Sequence, residues 1–218
     1  DPDDLWLAAS FDLELDEGSF FTANHLDDLI EAHVLRAFPV DRDDHVAFWT
    51  SRMQGGMDAA IIDLYADLTR AGAQGLLDAW AETPRGRLAL IILLDQFSRH
   101  IHRGSAEAFA QDQKAQQLCI EGISAGDDQN LHPVERSFFY LPLEHAEDLE
   151  RQNLAIEAYS QLIQDVPEQY RQPLEVALEW AQKHHYLIER FGRFPELNEI
   201  LGRESTAEEI AFVEAGEY

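Results

Sequence analysis

LALIILLDQFSRHIHRG, residues 88–104, changes within one helix length from seven consecutive apolar residues to a cluster of charge and imidazole. A helix that is apolar on every face is buried all round, so Leu88–Leu94 is expected at the centre of a helical domain. Covalent continuity then carries the polar end inward. Asp95, Gln96, Arg99, His100, His102 and Arg103 follow without a break, and buried charges persist only when paired or hydrogen-bonded. They either staple the fold or line a pocket.

The pattern on both sides of this stretch is helical. Leu26, Leu29, Ile30, His33, Val34 and Ala37 recur at three- and four-residue spacing before Pro39, and Val46, Phe48 and Trp49 mark a second helix. Gly55 and Gly56 break the chain ahead of a helix over 57–69, and a short helix is expected over 76–81. Thr83 and Pro84 are a cap and a first-turn proline for the central helix. Ser105 is expected to cap the next helix, which should end near Gly126. His132 and Pro133 start another, with Pro142 positioned to kink or interrupt it. A long helix spans 170–190, a short one 196–201, and Ser205, Thr206, Glu208 and Glu209 form a capping box for the last. No β-alternation and no Gly-rich phosphate loop is present. The expected fold is all-α, a single array of antiparallel helices over 20–218, preceded by an acidic N-terminal arm over 1–19 that Trp6 and Phe11 would pin.

An apolar fraction of 45% is ample for a packed interior, and the longest apolar run, seven residues, is far short of a membrane span of roughly 20. A net charge of −26 repels phosphate backbones and anionic lipid, so neither nucleic acid nor membrane is expected as a partner. Lys114 and Lys183 are the only lysines. An acidic, lysine-poor surface fits adaptation to salt, and arginine bias in a GC-rich genome accounts for it equally well. The lone Cys119 excludes an internal disulfide and reads as a small buried hydrophobe. The opening DPDDLWLAASFDLELDEG has no basic stretch followed by an apolar core, so no secretory signal and a cytoplasmic location are expected.

Arg99 and Arg103 are four apart, one face of a helix, with Asp95 a turn earlier; arginine forks bind carboxylates and phosphates bidentately. They define either a small-anion site or an ion network with Asp95, Glu135 or Asp148. His145 with Asp148, three apart, and His185 with Glu189, four apart, have spacings open to a shared metal, but neither is specific, and no metal or cofactor is expected. His25 and His132 sit at helix starts; His33 and His45 read as residues of surface helices. Arg190 and Arg193 flank Gly192 between two phenylalanines, an arrangement equally suited to a structural clasp or a ligand clamp.

Three blocks, LLDQFSRHIHRGSAEAFAQDQKA (93–115), PVERSFFYLPLEHAEDL (133–149) and IERFGRFPELNEILGRESTAEEIAF (188–212), resemble the signatures of a mainly bacterial family, domain of unknown function number nine hundred twenty-four. The resemblance runs from Trp80 to Phe212 and implies a tetratricopeptide-like helical array with no assigned activity. The family usually carries proline and serine where this chain has Ser98 and Ala146.

Three readings follow. In the first, a helical-array module binds a small anion or acidic peptide through Asp95, Arg99, Arg103, Glu135, His145, Asp148, His185, Arg190 and Arg193, with oligomeric state left open. In the second, a hydrolase uses His145 or His185 with Asp148, with or without a metal. In the third, the blocks form a buried polar lattice that only locks helix packing.

Overall fold

The computed structural model describes Leu29, Ile30, Val34, Pro39 and residues 41–216. The acidic arm with Trp6 and Phe11, His25, His33 and most of the first expected helix lie outside them; Leu29 and Ile30 are helical and, like Val34, fully buried. The described residues form helices and turns and no strand, so they are all-helical.

α1 (Arg42–Met53) begins where the Asp41 side chain accepts from the backbone N–H groups of Asp43 and Asp44. A tight turn through Gly55 leads to α2 (Asp58–Ala73). The stretch expected as helix over 76–81 is a 3-10 turn, Asp78–Glu82, whose end gives Thr83 the extended backbone an N-cap needs. Thr83 Oγ1 then accepts from Gly86 N–H at 3.1 Å, and Pro84 opens α3 (Pro84–Ile91).

α3 does not end at Ile91. It widens into a π-helical turn, Ile92–Phe97, and tightens again as α4 (Ser98–Ile101). The Ser98 N–H donates to Leu93 O, the i to i−5 bond that defines the wider turn. Every residue from Leu88 to Leu94 is fully buried. Burying an aliphatic side chain is worth about 1.5–3 kcal/mol, enough in sum to hold Asp95 and Gln96 inside with them. α2, α5 and α6 all pack against this central rod.

Ser105 does not cap an α-helix. A 3-10 turn, Ala106–Phe109, comes first, and α5 (Asp112–Ala125) starts only at Asp112, because the chain bends there to meet Arg99. α5 ends at Gly126, left-handed at φ +76°, a conformation that glycine adopts without a Cβ penalty. α6 (Pro133–Glu144) runs through Pro142, and the expected interruption falls after Glu144, in the turn before α7. α7 (Leu149–Asp165) and α8 (Arg171–Phe191) pack on each other and on α6. Pro195 limits the stretch expected as helix over 196–201 to a 3-10 turn, Pro195–Leu197. α9 (Ala207–Ala215) starts at the expected capping box, in which Thr206 and Glu209 bond each other's backbone.

A main apolar core links α2, α3, α5, α6, α7 and α8, and a smaller cluster of Leu187, Ile188, Phe194 and Phe212 joins the end of α8 to α9. Cys119 is fully buried in the main core, where burial pushes its thiol pKa well up.

Candidate functional site

The polar end of the central rod faces a cavity of about 260 Å³. Helices α1, α6, α8 and, through Tyr159, α7 wall it together with the polar end of the rod. α1 contributes His45, Trp49 and Arg52, spaced i, i+4, i+7 and so on one helix face. The π turn and the residues after it contribute Gln96, Arg99, His100 and Arg103. The end of α6 supplies Leu141, Glu144 and His145, and α8 supplies Val176, Ala177, Trp180 and His184.

Asp95 is fully buried just behind the wall and is the hub of the polar network. Its Oδ1 lies 2.8 Å from His145 Nδ1, Gln96 Nε2 donates to Oδ2, and Arg99 approaches at 3.2 Å. Burial pushes the Asp95 carboxyl upward, but the charges of Arg99 and His145 and these hydrogen bonds prevail and hold it at about 2. An ionised carboxylate only accepts. His145 therefore donates from Nδ1 and, when neutral, carries its lone pair on Nε2.

Arg99 donates to Asp112 through both terminal nitrogens at 2.8 and 2.9 Å and to the Asp95 carbonyl at 2.9 Å, while its guanidinium covers the Phe109 ring. Arg103 holds Asp58 at 2.7 Å and the Met53 carbonyl at 2.8 Å, tying the rod to the α1–α2 turn. His100 Nδ1 is 2.7 Å from the same Asp58, and burial lowers its pKa despite that carboxylate.

Burial disfavours the charged form of three further groups. Glu144 is 5% exposed; burial, with Asp95 nearby, raises its carboxyl well above the usual range, and among the described residues its Oε2 has no hydrogen-bond partner. His184 Nδ1 donates to the Glu144 carbonyl at 3.1 Å, and burial takes its pKa down to about 3. His45 accepts from Trp49 Nε1 at 3.0 Å through Nε2, and burial lowers it to about 4. Burial likewise lowers Arg52 to about 9, where its guanidinium stacks 4.0 Å from the Phe48 ring centroid.

Of the nine residues singled out from sequence, the structure brings together Asp95, Arg99, Arg103 and His145. The other five lie away from the cavity, each held in a local role. Glu135 accepts from the His132 N–H in the α6 capping box, 2.8 Å, and Asp148 caps α7 through Arg151 N–H, 2.9 Å. His185 faces Asn153 at 2.9 Å. Arg190 pairs with Glu208 and stacks on Phe191 and Phe212, and Arg193 pairs with Glu209, so this turn is a clasp for α9. His145 thus pairs with Asp95, not Asp148, because Asp148 is spent on the helix start. His45, read as a surface-helix residue, is 1% exposed. Sequence reading missed it, along with Trp49 and Arg52, although their shared face with no aliphatic residue was the available signal.

Among the described residues no three His, Cys, Asp or Glu side chains converge as a metal site, and no helix is long and apolar enough to cross a membrane.

Fold and site define an all-helical protein with an internal cavity lined by arginine, histidine and tryptophan. The chain belongs to the family of bacterial proteins of unknown function DUF924, whose family model matches residues 19–217. It is similar to a solved structure, a protein of unknown function from Agrobacterium tumefaciens, at 34% identity and a TM-score of 0.71, over 89% of this chain and 99% of that one. Among curated proteins none matches.

Proposed function

We propose that the protein binds a small organic anion in this cavity. One observation carries the reading. The lining includes Arg52, Arg99 and Arg103, whereas the carboxylates that balance the rod, Asp58, Asp95 and Asp112, all stand behind the wall. The one carboxyl that lines the cavity is Glu144, whose charged form burial disfavours. In a chain of net charge −26 this is a local inversion of polarity. Trp49, Trp180, Leu141 and Val176 complete an apolar wall, so the fitting ligand has an apolar body and one anionic group. A volume of about 260 Å³ is at the small end for ligand pockets and favours such a molecule over the acidic peptide. The tetratricopeptide-like pairing implied by the family resemblance enters this reading for 133–191, where consecutive helices pack on one another and α6 and α8 both supply cavity wall.

A second reading, a histidine–carboxylate hydrolase, is favoured by the Asp95–His145 pair at 2.8 Å beside the same cavity.

Thermal denaturation with benzoate, phenylacetate and phenyl phosphate tests binding. A ligand specific for the folded state at 100 times its Kd adds about 2.7 kcal/mol, so a concentration-dependent rise in Tm is expected. Ala177→Trp, which fills the cavity from α8, should abolish the rise. No rise with any of the three anions, or an equal rise in the filled variant, overturns the reading.

A further inference from the structure

Two groups at the end of α6 face the proposed ligand with complementary proton inventories. His145 has its Nδ1 fixed on Asp95, which orients the ring and leaves Nε2 as the basic nitrogen. Glu144, the preceding residue, lines the same cavity, and its buried Oε2 has no partner among the described residues. An unpaired buried carboxyl oxygen costs stability and is satisfied by a ligand that accepts its proton. Asp95 and Gln96 sit in the π turn, a helix distortion frequent at functional sites.

We propose that His145 and Glu144 are the base and acid of a proton-transfer site acting on a small 2-oxo acid, whose carboxylate the cationic wall receives. The inference rests on the anion-binding reading above. His145 Nε2 removes a proton from the carbon next to the ketone. The C–H electron pair becomes the C=C bond, the carbonyl π pair moves to oxygen, and that oxygen takes the Glu144 proton. The products are the enol, an imidazolium held by Asp95, and the Glu144 carboxylate; exchange of the imidazolium proton with solvent, followed by reversal of the same steps, restores all three with solvent hydrogen on the carbon, and nothing else is consumed. The ionised Asp95 stabilises the imidazolium as it forms, as the buried carboxylate of a Ser-His-Asp triad does for its histidine. Burial raises the Glu144 carboxyl well above its ordinary range, which favours the proton-carrying form that a developing enolate oxygen can draw on. A 2-oxo acid unites the required features: an anionic group, an adjacent carbonyl that accepts a hydrogen bond, an acidic C–H, and a side chain for the tryptophan wall.

The test is deuterium incorporation into phenylpyruvate in D₂O, followed by loss of the C3 proton signal in NMR, alongside the Tm of the same samples. The expected result is exchange faster than in protein-free solution. It should fall about 10²-fold or more in His145→Gln and in Glu144→Gln, while phenylpyruvate still raises the Tm of both. His145→Gln keeps a donor for Asp95, and Glu144→Gln keeps the shape of the neutral acid, so a purely structural role predicts little change in either. Should a variant fail to fold, Ala177→Trp, which blocks the cavity and leaves the pair intact, must abolish exchange. A raised Tm with exchange no faster than in protein-free solution overturns the inference and leaves anion binding standing, as does exchange that survives both substitutions. If benzoate and phenylacetate bind and phenylpyruvate does not, the oxo-acid assignment falls alone. If none of them binds and no exchange occurs, both readings fall together.

Discussion

Glu144 and the histidines whose pKa burial lowers, His45, His100 and His184, pull stability in opposite directions with pH. The Glu144 carboxyl is raised above its ordinary 4.5 in the folded state. Above that pH the unfolded chain ionises while the folded one does not, so stability declines as pH rises, by about 1.4 kcal/mol per unit. His45 and His184 are depressed from 6.5 to about 4 and about 3. Below pH 6.5 the unfolded rings bind protons that the folded rings refuse, so stability is lost as pH falls through that window, by about 1.4 kcal/mol per unit for each ring. Urea denaturation of the wild type should therefore show greatest stability near pH 6.5. Glu144→Gln should remove the decline on the alkaline side, steepen the loss of stability between pH 6.5 and 4.5, where the glutamate no longer offsets the histidines, and exceed the wild type at neutral pH. A variant less stable than wild type at pH 7 would mean that Glu144 is ionised and paired. None of this was legible in the sequence. In sequence Glu144, His145, Glu147 and Asp148 read as an acidic patch with one imidazole, and only the depth of α6 in the core shows that its first glutamate is buried.

At the scale of elements, helices were readable wherever burial is one-sided. The Thr83–Pro84 start, the Gly126 end and the Thr206–Glu209 box are local chemistry, decided within four residues. The π turn was not readable, because a helix apolar on all faces has no stripe against which a slipped register would show. The cavity was half readable for a related reason. Arg99 and Arg103 announce themselves four apart, but Asp95–His145 and Arg103–Asp58 join residues 50 and 45 apart, and sequence spacing says nothing of such pairs. Helix contact also sets limits that composition hides. A Cβ on Gly122 of α5 would sit 2.5 Å from Phe139 Cζ of α6 and 2.5 Å from Arg87 Cδ of α3. Arg87 Nε is itself fixed on Asp127 at 2.8 Å. In an open helix Gly→Ala stabilises by about 1 kcal/mol, whereas overpacking costs about 1–3 kcal/mol. We expect Gly122→Ala to be net destabilising by roughly 1–2 kcal/mol in chemical denaturation; a gain in stability would mean that α5 and α6 separate easily.

For the whole molecule the dominant quantity is the net charge of −26. Fourteen arginines and two lysines cannot neutralise forty-two carboxylates, and the described arginines are largely committed to local pairs: Arg99 to Asp112, Arg103 to Asp58, Arg193 to Glu209, Arg203 to Glu147. The remaining carboxylates repel one another over distances that water leaves unscreened at low ionic strength. The Debye length shortens from about 10 Å at about 0.1 M salt to about 3 Å at about 1 M, while pairs in direct contact and partly buried are screened much less. Salt should therefore weaken the repulsion more than the pairs, and Tm should rise steadily with NaCl over that range. Chloride is itself a small anion, and the cationic cavity wall offers it a second route to the same effect. Ala177→Trp separates the two. If relief of self-repulsion dominates, the cavity-filled variant shows the same rise as wild type. If anion occupancy dominates, the rise shrinks in the variant and saturates with chloride in the wild type. A Tm that falls with salt in both proteins would mean instead that the local ion pairs outweigh the global repulsion.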